Sequence, residues 1–280
     1  RRSDRMLELP EVIHISRQLG EQVTGKKVIR VLPPTKNHKF CWYNGAPEEY
    51  AEMIEGAAIE GAEGFGIYVE IRFSNGCKLC FNDGVNVRLI KTEALPKAYQ
   101  LAIAFEDGEA LVFTVAMYGG IILHRGEYDN EYYQKSREAL SPFSGEFRAY
   151  YDKGMAQSKQ TLSAKAFLAT EQRFPGIGNG VLQDILLEAG IHPKRKINTL
   201  EDTDREKLFS CTLSVLQEMI DQGGRDTEKD IFGNPGGYKT RLSKNTYKSG
   251  CPHCGGEIVK ASYLGGSVYF CPKCQPLMII

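Results

Sequence analysis

The spacing of hydrophobic residues in the first half of the chain changes from a helical period to a strand period. Val12, Ile15 and Leu19 recur every three or four residues, which places them on one face of a helix over residues 9–24. Pro10 suits the first turn of this helix, and Gly25 can end it. Beyond residue 26, apolar and polar residues alternate, as they do along β-strands. This half therefore predicts an antiparallel β-sandwich with a leading helix.

Seven runs carry the strand period. They cover residues 27–32, 67–73, 78–81, 87–90, 102–105, 111–115 and 121–124. The dipeptides Asn75-Gly76 and Asp107-Gly108 separate two pairs of these runs, and such dipeptides favour tight hairpin turns.

The pattern becomes helical from about residue 132. Residues 162–171, 181–188 and 200–219 have helical spacing, and residues 223–238 predict a loop rich in Gly, Asp and Pro. Ser141-Pro142 suits a linker. We predict an α+β multidomain fold, divided into a β-sandwich domain (1–135), a linker (136–150), a helical domain (151–235) and a terminal hairpin (236–280). Residues 1–5 precede a Met6 that suits a natural start, so they are interpreted as an upstream extension or a vector remnant.

Bulk properties limit the class of protein. A length of 280 residues exceeds the usual size of one domain, which agrees with this division. No apolar run approaches the roughly 18 residues of a membrane span, and no signal peptide is visible, so we expect a cytoplasmic protein. The formal charge is zero, but residues 231–280 contain six Lys and Arg against one acid. This local excess suits either a polyanionic partner or an ordinary solvated surface.

Two C-x-x-C pairs near the end of the chain predict a metal site. Sixteen residues separate Cys251-Pro-His-Cys254 from Cys271-Pro-Lys-Cys274. Four thiolates at this spacing can surround one structural Zn²⁺ in a tetrahedron, and metal binding would supply the folding free energy of so short a segment. The alternation in Val268-Tyr269-Phe270 predicts a β-hairpin between the pairs. The alternative is two disulfides, which need an oxidising compartment that nothing else in the sequence indicates.

The remaining cysteines are expected to be isolated thiols. Cys77 and Cys80 form a further C-x-x-C, but residues three apart on a strand point to opposite faces of the sheet. No second pair accompanies them. We therefore expect core or surface thiols here, as at Cys41 and Cys211.

A glycine-rich turn lies between two of the predicted helices, in Phe174-Pro-Gly-Ile-Gly-Asn179-Gly-Val. Gly176 and Gly178 permit a tight turn, and Asn179 can cap the helix that follows. Exposed amides at such a helix end favour phosphate binding. Taken alone, the same turn is also typical of a simple joint between helices.

Three motifs together resemble one family. Leu7-Glu-Leu-Pro-Glu-Val12, the Gly-Ile-Gly-Asn turn followed by Ala-Gly-Ile-His-Pro193, and the cysteine hairpin closing on Cys274-Gln275 occur in this order. From Met6 onward the chain resembles the formamidopyrimidine-DNA glycosylase / endonuclease VIII family. The run from Lys165 to the turn is similar to the helix-two-turns-helix module of that family.

The resemblance implies repair of oxidised bases in double-stranded DNA by a monomer associated with the nucleoid. Family members flip a damaged nucleotide into a pocket between two domains. An N-terminal proline amine attacks the sugar, and an adjacent glutamate moves protons. By this resemblance, Glu8 and Glu11 are the catalytic candidates. The candidates for contacts with damaged or abasic DNA are Lys165, Gly176, Gly178, Asn179, Lys239, Arg241 and Lys244.

The chain departs from the family where the chemistry takes place. Leu7 stands in the place of the nucleophilic proline, and an internal leucine has neither a reactive side chain nor a free amine. Phe65 and Gly266 stand where the family has a lysine and a zinc-hairpin arginine. The intercalating Arg and Phe of the family are absent around residues 115–120, where Tyr118 is a candidate wedge.

Three hypotheses on activity follow. The first is a glycosylase that activates water with Glu8 or Glu11 as the base, which leaves lyase activity in doubt. The second is an enzyme that uses another amine. The third is a non-catalytic protein that binds DNA lesions or DNA structures. A protein-interaction scaffold is the rival class, and the sequence assigns no role to Asp83.

Overall fold

The structure is a computed structural model that describes residues 6–277, so the predicted extension at residues 1–5 lies outside the described part. The first element is helix α1 (Leu9–Val23). A short helix, α2 (Tyr50–Ile54), lies between the second and third strands. Nine strands make up the rest of the first half: β1 (Val28–Leu32), β2 (Cys41–Tyr43), β3 (Ile59–Phe65), β4 (Tyr68–Phe73), β5 (Lys78–Asn82), β6 (Val85–Lys91), β7 (Leu101–Phe105), β8 (Glu109–Val115) and β9 (Gly119–His124). The predicted leading helix and the seven predicted strand runs are confirmed to within a few residues.

The nine strands form two sheets. One has the order β1-β7-β8-β6 and the other β2-β9-β5-β4-β3. The sandwich is not wholly antiparallel, because β2 pairs with β9 in parallel. The apolar faces of the two sheets meet in one core, where the rings of Phe81 and Phe113 lie 5.3 Å apart. Burial alternates along β6, in agreement with its two-residue period in the sequence, whereas β7 and β9 are buried along their whole length.

Strand β3 was missed because three of its seven positions, within Ile-Glu-Gly-Ala-Glu-Gly-Phe, are glycine or alanine. Glycine occurs in this strand because neighbouring groups pack closely against it, although glycine has a low strand propensity. A Cβ on Gly64 would lie 2.7 Å from the carbonyl oxygen of Val12, so helix α1 can cross the sheet only where the side chain is missing.

The second half is helical. Its helices are α3 (Glu131–Glu138), α4 (Phe147–Gln157), α5 (Ala164–Ala169), α6 (Asn179–Ala189) and α7 (Asp202–Asp221). Helices α5 to α7 were predicted. Helices α3 and α4 occupy both ends of the predicted linker, so the stretch without regular helix there is confined to residues 139–146. Helix α4 joins the core through aromatic rings, since Tyr151 lies 5.4 Å from both Phe167 and Phe174.

The chain ends in a hairpin of β10 (Val259–Tyr263) and β11 (Gly266–Phe270), which confirms the predicted hairpin. Separate apolar clusters lie in the sandwich, among the helices and beneath the hairpin. The exact domain boundaries stay a prediction. Across residues 6–277, no helix combines the length and the apolar character that crossing a bilayer requires.

Candidate functional site

A cavity of about 310 Å³ lies where the sandwich, the helical part and the terminal hairpin meet. The ends of several elements surround it, and polar side chains from distant parts of the chain converge on its wall. They include Glu8, Asp83, Tyr118, Lys165, Asn179 and Lys244. A concave site with converging polar groups at a domain junction is typical of ligand-binding sites.

Glu8 sits between the start of α1 and the start of α6. Its carboxylate accepts hydrogen bonds from the amides of Gly178, Gly180 and Val181, at 2.7, 2.9 and 3.1 Å. These are the amides that a helix leaves without partners at its N-terminus, and the helix dipole favours a negative charge there. Burial raises the pKa of Glu8, although Arg225 and the amides act in the opposite direction.

Arg225 lies behind Glu8 and joins it to Glu11. One guanidinium nitrogen is 3.2 Å from Glu8 Oε2, and another donates to Glu11 Oε1 at 2.5 Å. The same side chain donates to the carbonyl of Met6 at 3.0 Å. Burial alone would lower the pKa of Arg225, but the carboxylates of Glu11 and Glu8 raise it above its usual value. The guanidinium is therefore charged at every accessible pH.

Gly180 makes this arrangement possible. A Cβ on Gly180 would lie 1.7 Å from Arg225 Nη1 and 2.4 Å from Glu8 Oε2. Any other residue would separate the two charged groups. This glycine follows Asn179 in the motif that the sequence predicts as a helix joint.

Two further carboxyl groups belong to the same neighbourhood. Burial and the charge of Glu8 raise the pKa of Asp83 to about 7, and Asp83 faces the cavity. Burial raises the pKa of Glu228 to about 8, despite the opposing effect of Arg225. A carboxyl group that titrates near neutral pH in a cleft is suited to proton transfer, so Asp83 is a functional candidate that sequence reasoning did not assign.

The turn before α6 needs a correction. Glu8, not a phosphate, occupies the amides at this helix end, because three of them already donate to its carboxylate. Asn179 is not the helix cap either, since Gly178 takes that position. The Asn179 side chain instead donates to the carbonyl of Ser267 at 2.8 Å and so docks the terminal hairpin on α6. Gly176 adopts a φ of +96° and packs against Gly66.

Two of the four predicted basic residues line the cavity. Lys165 lies on its wall, and its Nζ donates to the carbonyl of Tyr263 at 2.6 Å. Lys244 is exposed and lines the cavity, and Lys239 is also exposed. Arg241 lies 3.2 Å from both Glu188 and Glu218 in ion pairs, so much of its charge is balanced within the protein. Contacts of these residues with DNA stay a prediction.

The four hairpin cysteines converge as predicted. Their sulfurs lie within 4.8 Å of one another, with Cys251 to Cys274 at 3.8 Å and Cys254 to Cys271 at 3.5 Å. A tetrahedral zinc with Zn–S bonds of about 2.3 Å places its sulfurs roughly 3.8 Å apart, so these thiols fit the ion. All four are free thiols rather than disulfides. The amides of His253, Gly256 and Cys274 each point at a sulfur at 3.4 Å, which suits thiolates.

Hydrogen bonds join two members of a second group of potential ligands. Glu70, Cys80 and His124 lie together in a buried cluster. His124 Nδ1 accepts from the amide of Gly126 at 3.0 Å, which leaves Nε2 as the protonated nitrogen that donates to Glu70 at 3.2 Å. Burial raises the pKa of Cys80 well above its usual value, so it is a thiol. As predicted, Cys77 and Cys80 lie on opposite faces of the sheet, in different apolar clusters.

Comparison with known proteins shows which family this chain resembles. The family model described as the formamidopyrimidine-DNA glycosylase N-terminal domain matches residues 6–135. Curated relatives named formamidopyrimidine-DNA glycosylase match 96% of this chain over their whole length. They include proteins of Heliobacterium modesticaldum, at 27% identity, and Carboxydothermus hydrogenoformans, at 29%. By these matches the chain is similar to the formamidopyrimidine-DNA glycosylase / endonuclease VIII family.

Solved structures show the same fold. A complex of Lactococcus lactis Fpg with DNA containing an abasic site superposes with a TM-score of 0.82 at 23% identity, covering 96% of this chain and 99% of that one. A complex of the same protein with DNA containing FAPY-dG gives a TM-score of 0.80 at 24% identity, with 96% and 100% covered. The sandwich, the helical part and the hairpin therefore have the fold of Lactococcus lactis Fpg.

The departures from the family pattern are structural features of the site. The Leu7 amide donates to the carbonyl of Asp83 at 3.0 Å, and its side chain is buried in the sandwich core. A Cβ on Gly266 would lie 3.0 Å from Asn179 Nδ2, so a larger side chain there would crowd the hairpin contact. Phe65 packs on Tyr68, with the guanidinium of Arg137 4.4 Å above its ring. Each substituted position thus has a packing role of its own.

The zinc site generates the first prediction. Cys271→Ser should lose the bound zinc and release the hairpin from α6, because the metal and a small cluster including Leu187 and Leu242 hold it. Metal analysis should give one zinc per chain for the parent protein and none for the variant. The β-sandwich of the variant should stay folded and unfold at about the same temperature as in the parent protein. Cys211→Ser, which changes a thiol outside the site, should keep its zinc, and loss of zinc there would contradict this assignment.

The second prediction concerns Arg225. Arg225→Met should lower the free energy of unfolding by about 3–5 kcal/mol, because it leaves Glu8 and Glu11 buried without their shared counter-charge. Arg148→Met is the matched control. Arg148 also pairs with two carboxylates, but on the surface, where ion pairs contribute little. Urea unfolding measures both, and equal losses would refute a special role for the buried arrangement.

Proposed function

We propose that this protein is a base-excision repair glycosylase that binds damaged or abasic duplex DNA across its cavity and hydrolyses the N-glycosidic bond of an oxidised base. The observation that carries the proposal is the pair of carboxyl groups, Glu8 and Asp83, on one cavity wall of a chain with this fold. A base must leave the helical stack to reach such a cavity. The cavity lies between the parts of the fold that would grip the two sides of a duplex.

Water is the nucleophile in this proposal. Its oxygen attacks C1′ of the sugar, the N-glycosidic bond breaks, and the bonding electron pair leaves with the base. A carboxylate accepts the proton that the water releases. Leu7 cannot take this part, since its nitrogen is a peptide amide that already donates to Asp83. The product is an abasic site in an uncut strand.

Among the carboxylates, Asp83 suits the role of base best. Glu8 already accepts three amide hydrogen bonds and pairs with Arg225, so accepting a further proton would disturb the start of α6. Glu11 is committed to Arg225 behind the cavity wall. Asp83 titrates near neutral pH and faces the cavity. Glu8 then serves to hold negative charge near the positive charge that develops on the sugar.

DNA binding rests on cations and polar groups around the same opening. Lys165, Asn179 and the exposed Lys244 line the cavity, and Lys239 is exposed next to Thr240, which also lines it. Neutralising phosphates with such residues releases counterions, so affinity should fall steeply with salt. Structural zinc holds the terminal hairpin, which forms the third wall of the cavity beside the sandwich and the helical part. We further propose a monomer that acts in the cytoplasm on nucleoid DNA.

A second candidate function is recognition of lesions without catalysis. The observation that favours it is the saturation of Glu8 by internal hydrogen bonds, which gives this residue a purely structural purpose. In that case Leu7 and Asp83 would form one wall of a binding pocket, and base release would be absent.

The third prediction separates these functions. Duplexes that carry an oxidised purine, an oxidised pyrimidine or an abasic site should bind with steep salt dependence. At least one oxidised base should be released, and the strand should be cut only after alkali. Borohydride should trap no covalent adduct, since no proline amine exists to form an imine. Binding without release of any base would favour the second function, whereas a trapped adduct would reveal an amine nucleophile.

The fourth prediction concerns pH. Asp83 must be ionised to accept a proton, so base release should rise between about pH 5 and 7 and level off above its pKa. Asp83→Asn should lose most base release, and its residual rate should not follow this profile. Affinity for abasic duplex should change little. Glu109→Gln replaces a carboxylate on the distant strand β8 and is the control. An unchanged profile in Asp83→Asn would transfer the role to Glu8.

A further inference from the structure

An exposed aromatic surface continues outward from the cavity. It consists of the exposed Phe40 and Trp42 and the partly buried Tyr118, and is called here the aromatic ledge. Phe40 and Trp42 are 49% and 52% exposed, whereas Cys41 and Tyr43 pack against the sandwich core. This alternation is that of a strand whose outer face meets solvent. Two large rings on one outer face are unusual, because exposed apolar groups on a monomer usually stand alone.

The ledge is continuous with the cavity through Tyr118. Its ring lies 6.5 Å from that of Trp42, and Tyr118 lines both the cavity and the groove next to it. Tyr118 directly precedes β9, and the parallel pairing of β9 with β2 places Trp42 opposite Gly120. A strand leaving the cavity would meet Tyr118 first and Trp42 next.

The ledge is held firmly from below. The amide of Gly119 donates to the carbonyl of Phe40 at 2.9 Å, and His38 Nε2 lies 3.2 Å from the carbonyl oxygen of Ala116. A Cβ on Gly84 would lie 1.9 Å from the carbonyl oxygen of Tyr118, so the backbones touch where these loops cross. The rings therefore stand on a preorganised support.

The charges beside the ledge are those that a nucleic acid requires. Lys39 Nζ lies 5.4 Å from the centre of the Phe40 ring, and Lys36 is exposed in the same loop. Cations next to exposed rings are the arrangement with which proteins hold single-stranded nucleic acids, where bases stack on rings and lysines balance phosphates.

We propose that the aromatic ledge binds unpaired nucleobases of a DNA strand as it leaves the cavity, with Trp42 as the principal stacking platform. The inference rests on the proposed function, because it assigns the ledge to the same DNA. It adds a second contact region that keeps the strands apart after a base has been extruded. Stacking is tolerant of sequence, so the ledge would act beside any lesion.

Trp42 is the only tryptophan in the chain, so its fluorescence reports the ledge directly. Two dye-labelled probes are titrated, a duplex with a stable abasic-site analogue and single-stranded oligothymidylate, while dye anisotropy measures total binding independently. We expect both probes to quench Trp42. Trp42→Ala should weaken binding of oligothymidylate about 5- to 100-fold. Trp42→Phe should restore most of the affinity, since it keeps an aromatic face.

Tyr132→Ala is the matched control, because Tyr132 is 55% exposed but lies on α3, outside the ledge. Its affinity for both probes should equal that of the parent protein. Duplex binding without quenching, together with full affinity in Trp42→Ala, would overturn the ledge and leave the proposed function standing. Quenching by oligothymidylate without any duplex binding would support the ledge and overturn the proposed function. Absence of binding to both probes would overturn both.

Discussion

The salt bridge that Arg225 makes with Glu8 and Glu11 is the interaction on which the organisation of this molecule depends. It joins the start of α1, the start of α6 and the loop after α7, three segments that belong to different parts of the chain. Charges buried together in this way are costly unless every hydrogen-bonding group is satisfied. Here three amides at the start of α6, the Met6 carbonyl and the Arg225 amide complete the set.

That interaction also changes how the site can work. Glu8 accepts the amide hydrogen bonds at the N-terminus of α6, which is a structural role. The family resemblance assigns proton transfer to the same residue. Leu7 also has a structural role, because its side chain packs in the sandwich core and its amide donates to the carbonyl of Asp83. The consequence is a cavity wall on which burial and the charge of Glu8 raise the pKa of Asp83 to about 7. Leu7, which replaces the amine nucleophile, and Asp83, whose pKa is raised, are thus in direct contact.

The terminal hairpin depends on the same helix from its other side. Asn179 and Gln183 of α6 both donate to the carbonyl of Ser267, and Gln183 accepts from the amide of Tyr269. Asp184, on the next position of the helix, accepts from Tyr238 and from the amides of Arg241 and Leu242. Helix α6 therefore carries Glu8 at its end and the zinc hairpin along its side, so that one element positions two walls of the cavity.

The sequence by itself determined the elements whose signals are local. Helical spacing in α1, two-residue alternation in the sandwich and the two C-x-x-C pairs each depend on neighbours along the chain, and each was confirmed. The family resemblance likewise rested on short motifs. Strand β3 and helices α3 and α4 were not predicted, because their residues suit contacts with distant segments, as Gly64 suits its contact with α1. Only the tertiary structure decided that Arg225 pairs with residues more than 200 positions away and that Glu8 occupies the helix end predicted for phosphate. It also decided that Asp83 titrates near neutral pH, since burial and a neighbouring charge exist only once the chain has folded.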